Sequence, residues 1–282
     1  MSEPQSIQPT GFHLRLSSDW RVSAVSANIG DFLPVVAERA LGQPITTLFR
    51  DDAIHDVRNR MALLRSDDAI EHLLRVSVAN DTRLLDLSIF RDGNGYGIDA
   101  EPSDGHAFGD PTAIVEGMLA RVASASASAS ASDPVSIANE AARQLRALTG
   151  FDRVLVFGGG NLLGQSIRPG QNARDPVMSA TPVAHLTIAD RRAEPVAILT
   201  ADRAGTSKST LRVPSDEEGA VIDSLQARAA CIVPLLRDGQ PWGHIGCYHG
   251  APRHLGVERR SVACLFARFI ALQIEVVELR AG

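Results

Sequence analysis

Three cysteines, Cys231, Cys247 and Cys264, are the side chains of this 282-residue sequence with the widest chemical reach. Thiol chemistry needs an accessible sulfur with a depressed pKa and a second thiol near enough to resolve its oxidised form. Cys231 and Cys247 fall on consecutive strand-like stretches and could approach one another, which opens a thiol-dependent reductase as one reading. An odd number of cysteines without C-x-x-C spacing fits neither a disulfide framework nor a zinc site, so the simpler reading is buried thiols packed as small hydrophobes. Asp216-Glu217-Glu218 sets three carboxylates side by side, as a metal site would, but acidic residues at a helix start are also what the helix dipole and an N-cap favour. Gly158-Gly159-Gly160 follows a strand-like run yet lacks the Lys-Ser/Thr and the spacing into a helix that a phosphate loop requires. His249 at a strand end suits a structural hydrogen bond, and Arg212 offers a planar fork that matches a carboxylate. No catalytic residue and no metal site is assigned.

These residues must be held by elements that the periodicity outlines. Strand-like stretches at 11–16 and 21–27 flank the turn Ser17-Ser18-Asp19, a helix is expected over 51–64 behind Asp51-Asp52, and strands follow at 71–78, 83–90 and 96–100. Residues 123–132 alternate Ala and Ser with no apolar face to bury, and read as a helical extension or spacer between two domains. Beyond it a helix is expected over 134–148 with Gly150 as its cap, then a buried strand at 154–157. Residues 158–208 are the least regular part, with short apolar runs at 183–188 and 196–199. Strands at 229–236 and 242–249 are joined through Asp238-Gly239, and a long helix is expected over 258–280. That helix carries two apolar stripes. Val262, Leu265, Phe269, Leu272, Val276 and Leu279 form one, and Phe266, Ile270, Ile274 and Val277 the other, so one can face the domain while the other takes a partner helix.

Composition narrows the class. Hydrophobic residues at 44% and charged residues at 22% are those of an ordinary globular chain, and the length suffices for two domains. A formal net charge of −5 with scattered basic residues argues against a nucleic-acid partner, and no apolar run has the length of a membrane span. The expectation is a cytoplasmic protein.

Several motifs in this order resemble those of bacterial phytochromes. Ser6-Ile7-Gln8-Pro9-Thr10-Gly11 is similar to the IQPHG motif that opens the phytochrome PAS domain, and residues 148–154, LTGFDRV, match the start of the family's GAF domain. Residues 242–249, WGHIGCYH, with Pro252-Arg253 resemble its WGLIACHH and PR stretch, and Cys264 with Leu272-Gln273-Ile274 resembles its last GAF helix. The resemblance implies an α/β (α+β) chain of two domains, PAS then GAF, each a central antiparallel sheet flanked by helices, with a long C-terminal helix. The boundaries expected are 1–110 for the PAS-like domain, 111–133 for the helix and Ala-Ser-rich linker, and 134–282 for the GAF-like domain. It also implies an N-terminal segment threaded through a GAF insertion.

The family holds a linear tetrapyrrole in the GAF pocket, and several positions for it are degenerate here. Thr10 replaces the histidine of IQPHG. The bacterial attachment cysteine lies before that motif, whereas the first cysteine of this sequence is Cys231. Against the family's LRSVSPxH stretch, Leu211, Arg212 and Ser215 are kept, but Glu217 stands at the alternative attachment cysteine and Glu218 at the histidine. Val183 stands where the family's DIP motif has its aspartate, and an aliphatic side chain cannot accept a pyrrole N–H. Tyr248 replaces a histidine common in the family, with His249 beside it. Both covalent routes are therefore absent. The expectation is a phytochrome-like sensory protein, not an enzyme, with no cofactor expected, acting on a signalling partner in trans and as a homodimer through Leu265, Phe269, Leu272, Val276 and Leu279. A photoreceptor holding biliverdin or another linear tetrapyrrole without a covalent bond, at Arg212, Tyr248 and His249, is the alternative. A thiol-dependent GAF reductase is the second alternative.

Overall fold

Phe12, Leu14 and Leu16 alternate with His13 and Arg15, and the chain extends there so that the first set enters a core. The structure is a computed structural model that describes residues 6–67, 69–80, 83–104, 108–128, 133–171, 185–200 and 209–281. Its strands are β1 (Ser6–Ile7), β2 (Phe12–Leu16), β3 (Val22–Ser26), β4 (Ile70–Val76), β5 (Leu85–Asp92), β6 (Gly95–Pro102), β7 (Arg153–Gly158), β8 (Asn161–Ile167), β9 (Leu186–Ile188), β10 (Val196–Thr200), β11 (Ala229–Arg237) and β12 (Gln240–His249). Its helices are α1 (Ala37–Ala40), α2 (Asp51–Met61), α3 (Pro111–Ser128), α4 (Pro134–Thr149), α5 (Asp216–Ser224) and α6 (Val257–Ala281). The chain divides into two units, residues 1–106 with 193–213, and residues 107–192 with 214–282.

The first unit is an antiparallel sheet in the order β1-β10-β3-β2-β6-β5-β4. Its core packs Phe12, Leu14 and Leu16 of β2 and Leu87 and Ile89 of β5 against α2, which presents Ala53, Ile54, Val57 and Met61 at helical spacing. The helix ends at Met61, earlier than the periodicity suggested, because the chain turns there to deliver Leu64 to the same core. β1 lies between two runs of the 193–213 segment. Ser6 and Ile7 pair with Ala197 and Val196 on one side, while on the other Gln8 N donates to Leu211 O at 2.8 Å. This is the threading that the resemblance implied. Ile7, Ala24, Ile198 and Leu211 fill the crossing.

One carboxylate fastens the returning run. Asp99, buried on β6, accepts from His13 Nδ1 at 2.7 Å, from Ser209 Oγ at 3.0 Å, and from Thr210 N and Oγ1 at 2.6 and 2.9 Å.

The second unit is an antiparallel sheet in the order β8-β7-β12-β11-β9. One face carries the larger core under α3, α4 and α6, and the other carries Leu155, Phe157, Leu186, Ile188, Ala230 and Ile232 with Ile222 of α5. β8 was not anticipated, since NLLGQSI alternates poorly and is largely exposed as an edge strand. The glycine run before it is the β7–β8 hairpin turn, with Gly159 and Gly160 at φ 55° and 80°, so its glycines serve a turn and not a phosphate. Helix α3 continues into the Ala-Ser tract as far as Ser128, and residues 129–132 lie outside the described residues. α4 starts on Asp133, whose side chain accepts from Val135 N, and ends at Gly150.

Candidate functional site

Strand β12 sorts the chemistry of the second unit by alternation. Ile245 and Cys247 point into the helix-covered core, while His244, Gly246 and Tyr248 lie on the opposite face. Cys231 pairs across from Cys247 and enters the same helix-covered core, against which Cys264 of α6 also packs. Burial pushes the Cys231 thiol up to about 11 and the Cys264 thiol to about 12, and holds Cys247 well above the usual thiol range. All three stay protonated at neutral pH, Cys231 and Cys247 buried and Cys264 half-buried, and none has the depressed pKa of a reactive thiol.

The opposite face is an apolar wall with two polar heads. The Tyr248 ring folds back along the strand over Gly246, where a Cβ would collide with the phenol hydroxyl, so only glycine leaves room for it. Burial raises the Tyr248 hydroxyl above its ordinary range, and it stays protonated. Two residues beyond Gly246, the His244 ring stacks on Phe157 with centroids 4.7 Å apart and planes 23° from parallel. His244 is 9% exposed, its Nδ1 is buried without a hydrogen-bond partner, and desolvation pushes the imidazole down to about 4. It is a neutral ring at physiological pH. The sequence reading passed over this residue, although a histidine standing at the leucine of WGLIACHH was a signal within the motif.

The other candidate residues are distributed as follows. His249, next to Tyr248 on the strand, sits with Nδ1 2.7 Å from Asp152 Oδ2, an ion-pair contact not aligned as a hydrogen bond, and 5.7 Å from the Phe151 ring. Asp152 Oδ2 also accepts from Gly250 N at 3.1 Å. Asp152, Arg153, Gln171, Gln226, Tyr248 and His249 line a polar cavity of about 200 Å³ there. Arg212 belongs to the first unit, where its carbonyl accepts from Gln8 Nε2 and its guanidinium donates to Val213 O at 3.4 Å. Thr10 is half-buried in the turn before β2. Glu217 is exposed in the first turn of α5, and Glu218 completes a capping box, its carboxylate accepting from Ser215 N at 2.9 Å while Ser215 Oγ accepts from Glu218 N. Capping therefore accounts for the acidic cluster. Val183 lies outside the described residues.

On α6 the two stripes separate. Phe266, Ile270, Ile274 and Val277 are buried in the core, whereas Leu265, Phe269, Leu272, Val276 and Leu279 are exposed, Leu279 by 76%. Val262 departs from its stripe and is buried. With Ala123 and Ile137, Phe269, Leu272 and Val276 of the exposed stripe border an apolar groove of about 370 Å³.

The profile of the GAF domain matches residues 133–274, just over half of the chain. The chain belongs to the GAF domain family. In front of that GAF domain, the profile of the PAS fold matches residues 1–103, so the protein is a PAS–GAF module. Its fold is that of solved phytochrome fragments. The chromophore-binding domain of an unusual bacteriophytochrome from R. palustris aligns at a TM-score of 0.80 and 22% identity, over 98% of this chain and 97% of that one. The photosensory core module of the Stigmatella aurantiaca phytochrome aligns at 0.83 and 18% identity, over 99% of this PAS–GAF module and 60% of the longer chain. A chromophore-binding domain of the Stigmatella aurantiaca bacteriophytochrome aligns at 0.78 and 20% identity, over 96% of both.

Proposed function

We propose that this phytochrome-like PAS–GAF module is a sensory or regulatory protein that carries no covalently attached bilin and acts through protein–protein contacts, with a homodimer formed along α6. The division of residues across β11 and β12 carries the first half of this reading. A thioether to a bilin needs a thiol on the ligand side of the sheet, and Cys231, Cys247 and Cys264 all belong to the helix-covered core. The exposed stripe of α6 supports the second half, because five large apolar side chains along one helix are stabilised when a second helix removes them from water. A shift in domain pairing passed along α6 to a partner in trans is the signalling mode this reading implies. Among the described residues no helix is long and apolar enough to cross a membrane, and we propose a cytoplasmic location.

A second reading, a photoreceptor holding biliverdin without a covalent bond, is favoured by a specific observation. The face of the GAF sheet opposite the thiols is apolar, and beside it His244 Nδ1 is a buried polar atom without a hydrogen-bond partner. A bound bilin would supply the light absorption, and the residues of this face would hold and orient it. Mixing the protein with biliverdin and recording its visible spectrum separates the readings. A sharpened red absorbance that changes on illumination establishes the photoreceptor, and an unchanged pigment spectrum establishes the chromophore-free sensor. In either case the pigment is expected to part from the chain on denaturing electrophoresis, and pigment that remains with the denatured chain would overturn the assignment of the cysteines. The dimer is tested by sedimentation, in which Leu272→Glu with Val276→Glu is expected to yield a monomer that keeps its circular dichroism.

A further inference from the structure

We infer that the polar cavity where β7 begins and β12 ends is a binding site for a short aliphatic monocarboxylate. The ligand's carboxylate is met by the guanidinium of Arg153 and the amides of Gln171 and Gln226, and its carbon chain lies against Leu225 and Ala227. The site falls within the second unit and is independent of both readings above, since it involves neither a pigment nor α6.

The cavity holds about 200 Å³, below the roughly 300 Å³ at which pockets for larger organic ligands begin, so it suits a molecule of a few carbons. Arg153 pairs with Tyr248 across β7 and β12 and shares its face of the sheet, yet it is only 8% exposed. A guanidinium binds a carboxylate through two parallel N–H···O bonds, and more strongly where water is excluded. Asp152 also lines the cavity, but its charge is already answered. It accepts from Arg168 Nη1 at 3.4 Å and from Gly250 N at 3.1 Å, and His249 Nδ1 lies 2.7 Å from it. One guanidinium beside a matched carboxylate admits a single negative charge, whereas phosphate brings a second charge against the same Asp152. Ala227 and Tyr248 belong to the apolar cluster of that face and Leu225 packs against it, so one wall suits hydrocarbon.

Gln226 points to the same site from the backbone. Gln226 N donates to Asp223 O at 2.9 Å and Ala227 N to Ile222 O at 3.1 Å, the paired bonds of a Schellman motif that closes α5. Gln226 stands at φ 54°, in the left-handed region where glycine is favoured because it has no Cβ. Stability alone selects glycine there. A glutamine weakens the helix end and puts an amide among the groups that line the cavity.

Titration calorimetry of the full chain with sodium propionate, at an ionic strength held constant with chloride, is expected to show one site of millimolar affinity, with inorganic phosphate binding more weakly. Arg153→Gln is expected to weaken propionate at least tenfold, on the order of one charged hydrogen bond. Because Arg153 is buried on β7, Gln226→Gly serves as a second variant that keeps the fold. It is expected to raise the thermal midpoint of the ligand-free protein and to weaken propionate about three- to tenfold, a combination that a purely structural glutamine would not give. Absence of propionate binding in a wild-type protein that is folded by circular dichroism overturns the site. Unchanged affinity in Gln226→Gly overturns its placement in this cavity, and phosphate bound as tightly as propionate overturns the monocarboxylate class.

Discussion

At the scale of single residues, the GAF sheet holds two sets of buried ionisable groups whose neutrality has opposite consequences. The thiols of Cys231, Cys247 and Cys264 are raised by burial, so they are uncharged below pH 9 and add nothing to the stability profile in the neutral range. His244 is depressed from 6.5 to about 4, and its neutral form is the one the fold accepts. Between those two values the unfolded chain binds a proton that the folded chain refuses. Stability conferred by the neutral ring is therefore complete above about pH 6.5 and is lost as pH falls toward 4, by roughly 3 kcal/mol in total. Urea unfolding between pH 7 and pH 4.5 should show this decline, and His244→Leu should flatten that part of it. An unchanged slope in the variant would mean that the ring reaches water more easily than its burial indicates. Cys231→Ser is expected to leave the fold intact with a modest loss of stability, and no peroxide or sulfoxide reduction should disappear with it.

At the scale of elements, α6 is the most informative helix because its two faces do different things. Its 25 residues span about 37 Å, and the buried stripe fixes its rotation so that Leu265, Phe269, Leu272 and Val276 must face outward. Its distal end is tied to the β11–β12 hairpin, where Arg237 lies 3.3 Å above the Trp242 ring and forms an ion pair with Glu278, Nη1 2.8 Å from Oε2. That clamp links the strand carrying His244 and Tyr248 to the last turns of the helix proposed to meet a partner. Glu278→Gln is expected to raise amide hydrogen exchange over residues 274–281 while leaving the exchange of β11 and β12 unchanged. Equal exchange in wild type and variant would show that core packing through Ile274 and Val277 alone holds the helix end. Because the ion pair is partly exposed, the effect should shrink at high salt.

At the scale of the whole molecule, residues 193–213 leave the second unit to complete the sheet of the first, where β10 pairs with both β1 and β3. Asp99 is the principal polar fastening of the returning run, and removing it strands several buried donors at once. Asp99→Ala is expected to destabilise the first unit by roughly 3 kcal/mol or more, read as a lower urea midpoint together with faster proteolysis between 193 and 213. A midpoint unchanged within 1 kcal/mol, on the order of a single ordinary hydrogen bond, would show that Ile7, Ile198 and Leu211 secure the crossing without it. Much of this architecture was legible in the chain. Polar–apolar alternation marked β3, strand-like runs marked β2, β5, β11 and β12, and the i, i+3, i+4 spacing of α6 announced both of its stripes. The motifs IQP, LTGFDRV and WGHIGCYH marked the order PAS then GAF. Tertiary structure alone decided which stripe of α6 is covered, which face of β12 each residue takes relative to the helices, and that the cysteines share one side while His244 and Tyr248 share the other. Periodicity specifies that two faces exist, but which one meets α3, α4 and α6 depends on neighbours far away in sequence. For the same reason the carboxylate of Asp99 and the hydroxyls of Ser209 and Thr210, more than a hundred residues apart, carry no local signal of the bond between them.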